Sequence, residues 1–102
     1  MRERRRGPTK VGEALADMLA GSALGARIAR AEVLDHWARA VGPQIAAVTR
    51  ARAIAENGTM TVGVKTNGWM QELAMMERSL LAKVNKSAGK EVVRKIRWEL
   101  LR

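Results

Sequence analysis

The sequence predicts an α+β domain of order α-α-β-β-α-β, in which helices cover one face of a three-stranded sheet. Three observations predict this class. Apolar residues recur at spacings of three and four in several stretches, as they do in amphipathic helices. Elsewhere apolar and polar residues alternate with period two, as they do in half-buried strands. The chain has 102 residues, 47% of them hydrophobic, which is enough for one compact core.

Two of the three predicted helices lie in the first half of the chain. The first covers residues 10–20 and ends at Gly21 and Ser22. The second covers residues 30–48, and its spacing assigns it a buried face. That face consists of Leu34, Trp37, Val41, Ile45 and Val48. Proline lacks an N–H and clashes with the preceding turn, so Gly42-Pro43 predicts a kink or a break in this helix.

The third helix is predicted over residues 68–86, after an N-cap at Asn67 or Thr66. The run Ser87-Ala88-Gly89 is expected to end it. Its inward stripe follows the helical spacing and consists of Trp69, Leu73, Met76, Leu80 and Val84.

Strands are predicted over residues 49–55, 59–66 and 92–100 from their period-two alternation. Glu56-Asn57-Gly58 joins the first two. Asn57-Gly58 predicts a tight two-residue hairpin turn, because asparagine and glycine supply the positive φ angles that such a turn needs.

The alternation also predicts the composition of the sheet face that the helices leave open. That face gathers Arg50, Arg52, Lys65, Lys95 and Arg97. Five cations suit the phosphate backbone of a nucleic acid, and they also suit an acidic protein surface. The alternative is that cations on strands only protect sheet edges from aggregation.

The net charge of +9 is concentrated at the two ends of the chain. Residues 1–10 carry five basic side chains against one acidic, and residues 78–102 carry eight against two. We interpret residues 1–9 as a flexible basic arm, whose arginines are Arg2, Arg4, Arg5 and Arg6, and residues 10–102 as the folded domain. Clustered positive charge favours polyanions and accelerates encounter with them. The alternative is a solvated surface that keeps the domain soluble.

Catalytic, metal and membrane functions lack the residues that they need. The chain has no cysteine, no phosphate-binding glycine motif and no carboxylate cluster. Its single histidine, His36, is not expected to form a catalytic pair with Asp35, because adjacent residues on a helix point in different directions. We interpret His36 as a surface residue. No stretch reaches the roughly 20 apolar residues of a membrane span. We therefore expect a cytoplasmic protein that is not an enzyme and uses no cofactor, metal, membrane or small-molecule substrate.

The aromatic residues narrow the nucleic-acid interpretation. The chain has no Phe or Tyr, so a stacking platform of the RRM kind is absent. Trp37 and Trp98 are predicted to pack in the core. Trp69 lies at the N-terminus of a helix, where it either packs inward or anchors a protein partner. Binding to DNA or RNA is then expected to depend mainly on contacts with the phosphate backbone, to be weakly sequence-selective and to be strongly sensitive to salt.

Several runs of residues together resemble the DciA family of bacterial replicative-helicase loaders. The runs are 37–46 followed by Thr49, 57–64, 66–73, Leu81, Val84-Asn85, and Val92-Val93 leading to Ile96-Arg97. The resemblance covers residues 30–98. It implies a fold similar to a KH type II domain, a protein that engages the DnaB-type replicative helicase, and binding to single-stranded DNA at the origin, close to the nucleoid. It also implies the absence of an ATPase activity.

The chain departs from the family pattern at two positions: Val48 replaces the usual histidine and Ala51 the usual proline. It also lacks the GxxG loop with which KH domains hold RNA, so that mode of RNA binding is not implied. Two functions remain open at this point. One is a helicase-loading adaptor that binds helicase and single-stranded DNA. The other is a KH-like nucleic-acid-binding module, associated with RNA or ribosomes, without a helicase partner.

Overall fold

The computed structural model of the protein describes residues 22–101. The predicted arm over residues 1–9 and the predicted helix over residues 10–20 lie outside this range. The described elements are α1 (Ala23–Val41), α2 (Pro43–Ala46), β1 (Thr49–Ile54), β2 (Thr59–Val64), α3 (Asn67–Met75), α4 (Glu77–Ala88) and β3 (Lys95–Leu100).

The three strands form one mixed sheet with β2 in the centre. Strand β1 runs antiparallel to β2, and β3 runs parallel to it. A parallel neighbour requires a crossover, and here α3 and α4 supply it. The helices pack on one face of the sheet, where Met60, Val62 and Val64 of β2 are fully buried. This arrangement confirms the predicted α+β class.

The helical layer supplies the other half of the core. Its buried residues follow the helical spacing and are Val33, Trp37, Val41, Ile45, Leu73, Leu80 and Val84. Val93, in the segment before β3, and Ile96 of β3 are also buried in the core. The predicted stripes are therefore correct at most positions. The predicted core residues Leu34, Val48, Trp69 and Met76 are only partly buried, and Val33 takes a core position that was not predicted from the sequence.

Helix α1 begins seven residues earlier than the sequence predicted. Ser22, expected to stop the preceding helix, is instead the N-cap of α1, and its Oγ accepts a hydrogen bond of 2.9 Å from the Gly25 N–H. The predicted break at Gly42-Pro43 is confirmed. Gly42 has φ +93°, which an L-residue with a side chain rarely adopts, and Pro43 starts the short helix α2.

The predicted helix over residues 68–86 is two helices, α3 and α4, separated at Met76. Met76 has φ −97° and ψ 5°, and its N–H bonds to the Leu73 carbonyl three residues back. Neither glycine nor proline occurs between Leu73 and Leu80, so no local signal marks this break. The N-cap is Thr66, whose Oγ1 accepts from the Trp69 N–H at 3.1 Å. Helix α4 ends as predicted at Gly89, which has φ +82°.

The hairpin between β1 and β2 exists, but its turn has three residues instead of two. The Ala55 N–H bonds to the Thr59 carbonyl and the Gly58 N–H to the Ala55 carbonyl. Only Gly58 has a positive φ, of +91°. Asn57 contributes through its side chain, since its Oδ1 accepts from the Thr59 N–H at 3.0 Å. The predicted pair of positive φ angles was wrong because the asparagine caps the turn instead.

Strand β1 contains a β-bulge that its alternating sequence did not reveal. The register with β2 shifts between Ala51 and Ala53, so that Arg52 is the extra residue. After the bulge Ala53 lies opposite Thr61, and Ile54 lies opposite Met60 on the core face. The shift thus returns a large apolar side chain to the core.

Strand β3 begins at Lys95, three residues later than predicted, because a side chain replaces its first ladder bonds. Asn85 of α4 accepts from the N–H groups of Val92 and Val93, at 2.8 and 3.0 Å, and donates to the Val93 carbonyl at 2.8 Å. Further along β3, the Glu77 carboxylate accepts from the Ile96 N–H at 3.0 Å and from the Trp98 Nε1–H at 3.3 Å. Glu77 therefore occupies part of the edge of β3 that could otherwise pair with another chain.

Candidate nucleic-acid and partner interfaces

The strand register places Arg50, Lys95 and Arg97 on the open face of the sheet, while Arg52 is the bulge residue of β1 and Lys65 directly follows the end of β2. We call Arg50, Arg52, Lys65, Lys95 and Arg97 the basic face. All five are exposed. The strand register explains the position of the two cations on β3. Lys95 lies opposite Thr59 and Arg97 opposite Thr61, and these odd-numbered residues of β2 and β3 point away from the core residues Met60 and Ile96.

The centre of the basic face carries small, uncharged residues. Strand β2 contributes Thr59, Thr61 and Gly63 there, between the cations of the two outer strands. Gly63 is buried because the Leu101 side chain lies over it, in the space that a Cβ atom would need. The centre of the face is therefore uncharged, with small threonines on one side and the apolar Leu101 over Gly63 on the other, and cations flank it. Cations on both sides of an uncharged strip suit the phosphates of an extended backbone.

Four of the five cations form two pairs. Lys95 and Arg97 are two residues apart on β3, or about 7 Å along the strand. Arg50 and Lys65 are diagonal neighbours on adjacent strands, about 7–8 Å apart. The Lys65 N–H bonds to the Val48 carbonyl at 2.9 Å, which holds it beside the start of β1.

One acidic residue that was not among the predicted site residues also lies on this face. Glu99 is opposite Gly63, which in turn is opposite Arg50. Its Oε2 is 3.5 Å from the Nε of Arg52. The alternation that placed Lys95 and Arg97 on the open face places Glu99 there too, so the signal was present. The sequence did not indicate that Arg52 would be its partner, because the two residues belong to strands that do not touch.

Trp69 is half-buried and reaches both the core and the surface. On its outer side it lines a groove of about 520 Å³ between α2 and the start of α3. The other lining residues are Gln44, Ile45, Thr66, Gly68, Glu72 and Met76. The groove combines apolar walls with one carboxylate, that of Glu72. Both interpretations of Trp69 are therefore compatible with its position.

The remaining aromatic and ionisable candidates have structural or surface positions. Trp37 is 3% exposed, as a core residue is expected to be, whereas Trp98 is half-buried beside Glu77. His36 and Asp35 are both exposed. Within residues 22–101 no group of three or more histidine, aspartate or glutamate side chains could hold a metal ion. The helices of this range are too short or too polar to cross a bilayer. Arg2, Arg4, Arg5 and Arg6 lie outside the described residues.

Comparison with known proteins identifies relatives along most of the chain. A protein-family model described as "Dna[CI] antecedent, DciA" matches residues 10–98. The UPF0232 proteins of Mycobacterium bovis (strain BCG / Tokyo 172) and Mycobacterium tuberculosis (strain H37Rv) are each 32% identical over 92 residues, which is 90% of this chain and 49% of theirs. The UPF0232 protein of Mycolicibacterium smegmatis is 33% identical over 88 residues, or 86% of this chain and 45% of its own. The chain thus spans about half the length of these curated relatives.

Proposed function

The chain belongs to the DciA family, and from this membership we propose that it is a non-enzymatic adaptor of bacterial DNA replication. In this proposal it binds the DnaB-type replicative helicase and single-stranded DNA, and it helps to load the helicase at the origin. Two surfaces of the folded domain support the two kinds of binding, and the basic arm adds to one of them.

The basic face supports the proposed binding to single-stranded DNA. Arg50, Lys65, Lys95 and Arg97 are exposed, and none has an acidic partner within 4 Å among the residues that the structure describes. Their charge is therefore free to bind phosphate. No aromatic side chain lies on this face to stack with bases. Affinity therefore depends on contacts with the phosphate backbone of the DNA, and binding is weakly selective for sequence. The arginines of the arm, Arg2, Arg4, Arg5 and Arg6, extend the same electrostatic attraction.

The groove beside Trp69 supports the proposed binding to the replicative helicase. A half-buried tryptophan beside an open groove is a common anchor of protein interfaces, because its large apolar surface is already fixed in position. Glu72 on the groove wall favours a partner segment that pairs an apolar side chain with a cation. The same carboxylate makes the groove less favourable for the anionic phosphates of DNA than the basic face. The two proposed surfaces therefore differ in charge and can be tested separately.

The DNA half is tested by fluorescence anisotropy with a labelled oligo-dT strand and the full chain. Lys95→Ala/Arg97→Ala removes two cations from the basic face, and we expect an affinity loss of at least tenfold at low salt. The control is Lys83→Ala/Lys86→Ala, which removes the same charge from exposed positions on α4, in the helical layer. Equal losses for both pairs would mean that only net charge matters and that the face is not a binding site.

The helicase half is tested by pull-down of the replicative helicase from the same organism, at low salt. Trp69→Ala and Glu72→Lys are expected to abolish capture, whereas Met75→Ala, at a position 84% exposed on the same helix, is expected to leave it intact. Thermal melts of each variant exclude unfolding as the cause. If the unmodified chain captures no helicase, the adaptor function fails, and the alternative of a KH-like nucleic-acid-binding module without a helicase partner takes its place.

A further inference from the structure

We propose that Arg52 is a positioning residue and makes no phosphate contact of its own. Its role is to neutralise Glu99, so that a single-stranded DNA backbone can cross the basic face. Phosphates are then bound by the other four cations, Arg50, Lys65, Lys95 and Arg97. The proposal rests on the proposed DNA binding and refines it, since the sequence alone assigns all five cations the same role.

Arg52 and Glu99 form an ion pair between strands that do not touch. Arg52 and Glu99 belong to β1 and β3, which are separated by β2. Their ion pair therefore extends across the whole width of the sheet, with 3.5 Å between Nε and Oε2. The β-bulge makes Arg52 the extra residue of β1, without a partner in the register of β2. Leu101 covers Gly63, and the preceding open-face residue of β2 is the small Thr61, so room for the crossing lies on the Thr61 side.

The charge of Glu99 is unfavourable for a phosphate backbone on this face. Glu99 lies two residues after Arg97 on β3, about 7 Å along the strand, and in the same row as Arg50. An unpaired carboxylate at that point would stand between the Lys95–Arg97 pair and the Arg50–Lys65 pair. It would repel a phosphate backbone that connects them. With Arg52 beside it, the centre of the face is close to neutral, while both cationic pairs remain available.

Both members of the ion pair are accessible to solvent. The side chain of Arg52 is 54% exposed and that of Glu99 36% exposed. An ion pair this accessible contributes little to folding stability. Removing either partner should leave the domain folded, so that effects on DNA binding can be measured without loss of structure.

The experiment compares four versions of the 102-residue chain: the unmodified chain, Arg52→Ala, Glu99→Gln, and the double variant. Affinity for labelled oligo-dT is measured at several salt concentrations. Arg52→Ala is expected to lower affinity about three- to tenfold, because it unmasks Glu99. Glu99→Gln is expected to raise affinity by a similar factor, because it releases Arg52. The double variant, with the same net charge as the unmodified chain, is expected to bind within about twofold of it, with the same salt dependence.

The salt dependence distinguishes this role from direct contact. Each phosphate contact with single-stranded DNA contributes about 0.7 to the slope of log affinity against log salt. If the double variant binds as weakly as Arg52→Ala, with a slope shallower by about 0.7, Arg52 contacts phosphate and the proposal is wrong. The proposal also fails if all four proteins bind equally while Lys95→Ala/Arg97→Ala loses binding. If that last variant binds normally as well, the proposed DNA face itself is wrong.

Matched controls come from α1, in the helical layer. Arg27→Ala and Glu32→Gln change the same charges at exposed positions away from the sheet. We expect each to shift affinity less than the corresponding change at Arg52 or Glu99. Equal shifts would show that total charge, and not the crossing ion pair, explains the result, and would overturn the proposal.

Discussion

The indole Nε1–H of Trp37 donates a hydrogen bond of 2.9 Å to the Oγ1 of Thr49. The Thr49 hydroxyl in turn donates to the Ile45 carbonyl at 2.8 Å. Three elements meet in this chain of bonds, because Trp37 belongs to α1, Ile45 to α2 and Thr49 to β1. The buried indole nitrogen is thereby satisfied, and the break at Gly42-Pro43 is held at one geometry. The hydrogen bonds among Trp37, Thr49 and Ile45 therefore form a structural joint between α1, α2 and β1.

Thr49→Val tests this joint. Valine keeps the shape of threonine and its preference for strands, but it removes the acceptor of the Trp37 N–H. A buried donor without a partner costs about 1–3 kcal/mol, so we expect the free energy of unfolding to fall by that amount in urea titrations. Thr61→Val is the control, since the Thr61 hydroxyl forms no hydrogen bond within residues 22–101. A similar loss in both variants would contradict the structural role of Thr49.

Asn85→Ala tests the segment before β3. The variant removes three hydrogen bonds to Val92 and Val93. Val93 is only 1% exposed, so water cannot replace the hydrogen bonds that its backbone groups lose. We expect the free energy of unfolding to fall by about 2–4 kcal/mol. Asn57→Ala removes a single exposed bond and should cost less than about 1 kcal/mol. If the two variants lose equal stability, Asn85 is not what holds the start of β3.

Gly58→Ala tests the hairpin turn. Gly58 has φ +91°, and a Cβ atom there would lie 2.9 Å from the Arg94 Cγ. We expect a loss of about 1–2 kcal/mol, because an L-residue is strained in the left-handed region. Gly68→Ala, in the first turn of α3 with no close neighbour, should instead stabilise the protein by about 0.4–1 kcal/mol. Melting temperatures of the two variants that shift in the same direction would contradict this interpretation.

Deletion of residues 1–9 tests the contribution of the arm. If each of its four arginines contacts one phosphate, the slope of log affinity against log salt should become shallower by about 2.8, at about 0.7 per contact. A smaller change measures how many of these contacts form. If the deletion alone abolishes binding to oligo-dT, the sheet makes no independent contribution, and the basic face is not a DNA site.

Local signals predicted much of the fold. The stripe around Trp37 and Val41 and the alternation around Val62 and Ile96 gave the order of elements and most of the core. Where local signals competed, the sequence was insufficient. Ser22 follows Gly21 and fits either the end of one helix or the start of the next, and only its bond to the Gly25 N–H decides between them.

The candidate site shows the same division. Period-two alternation by itself determined that Arg50, Lys95 and Arg97 share the open face, because side chains of a strand must point alternately to its two sides. Only the tertiary structure decided that Arg52 faces Glu99. Their strands are separated in the sheet by β2 and in the chain by the entire crossover, and a bulge sets the local register. Contacts between residues distant in sequence depend on how the elements pack, and no local pattern encodes them.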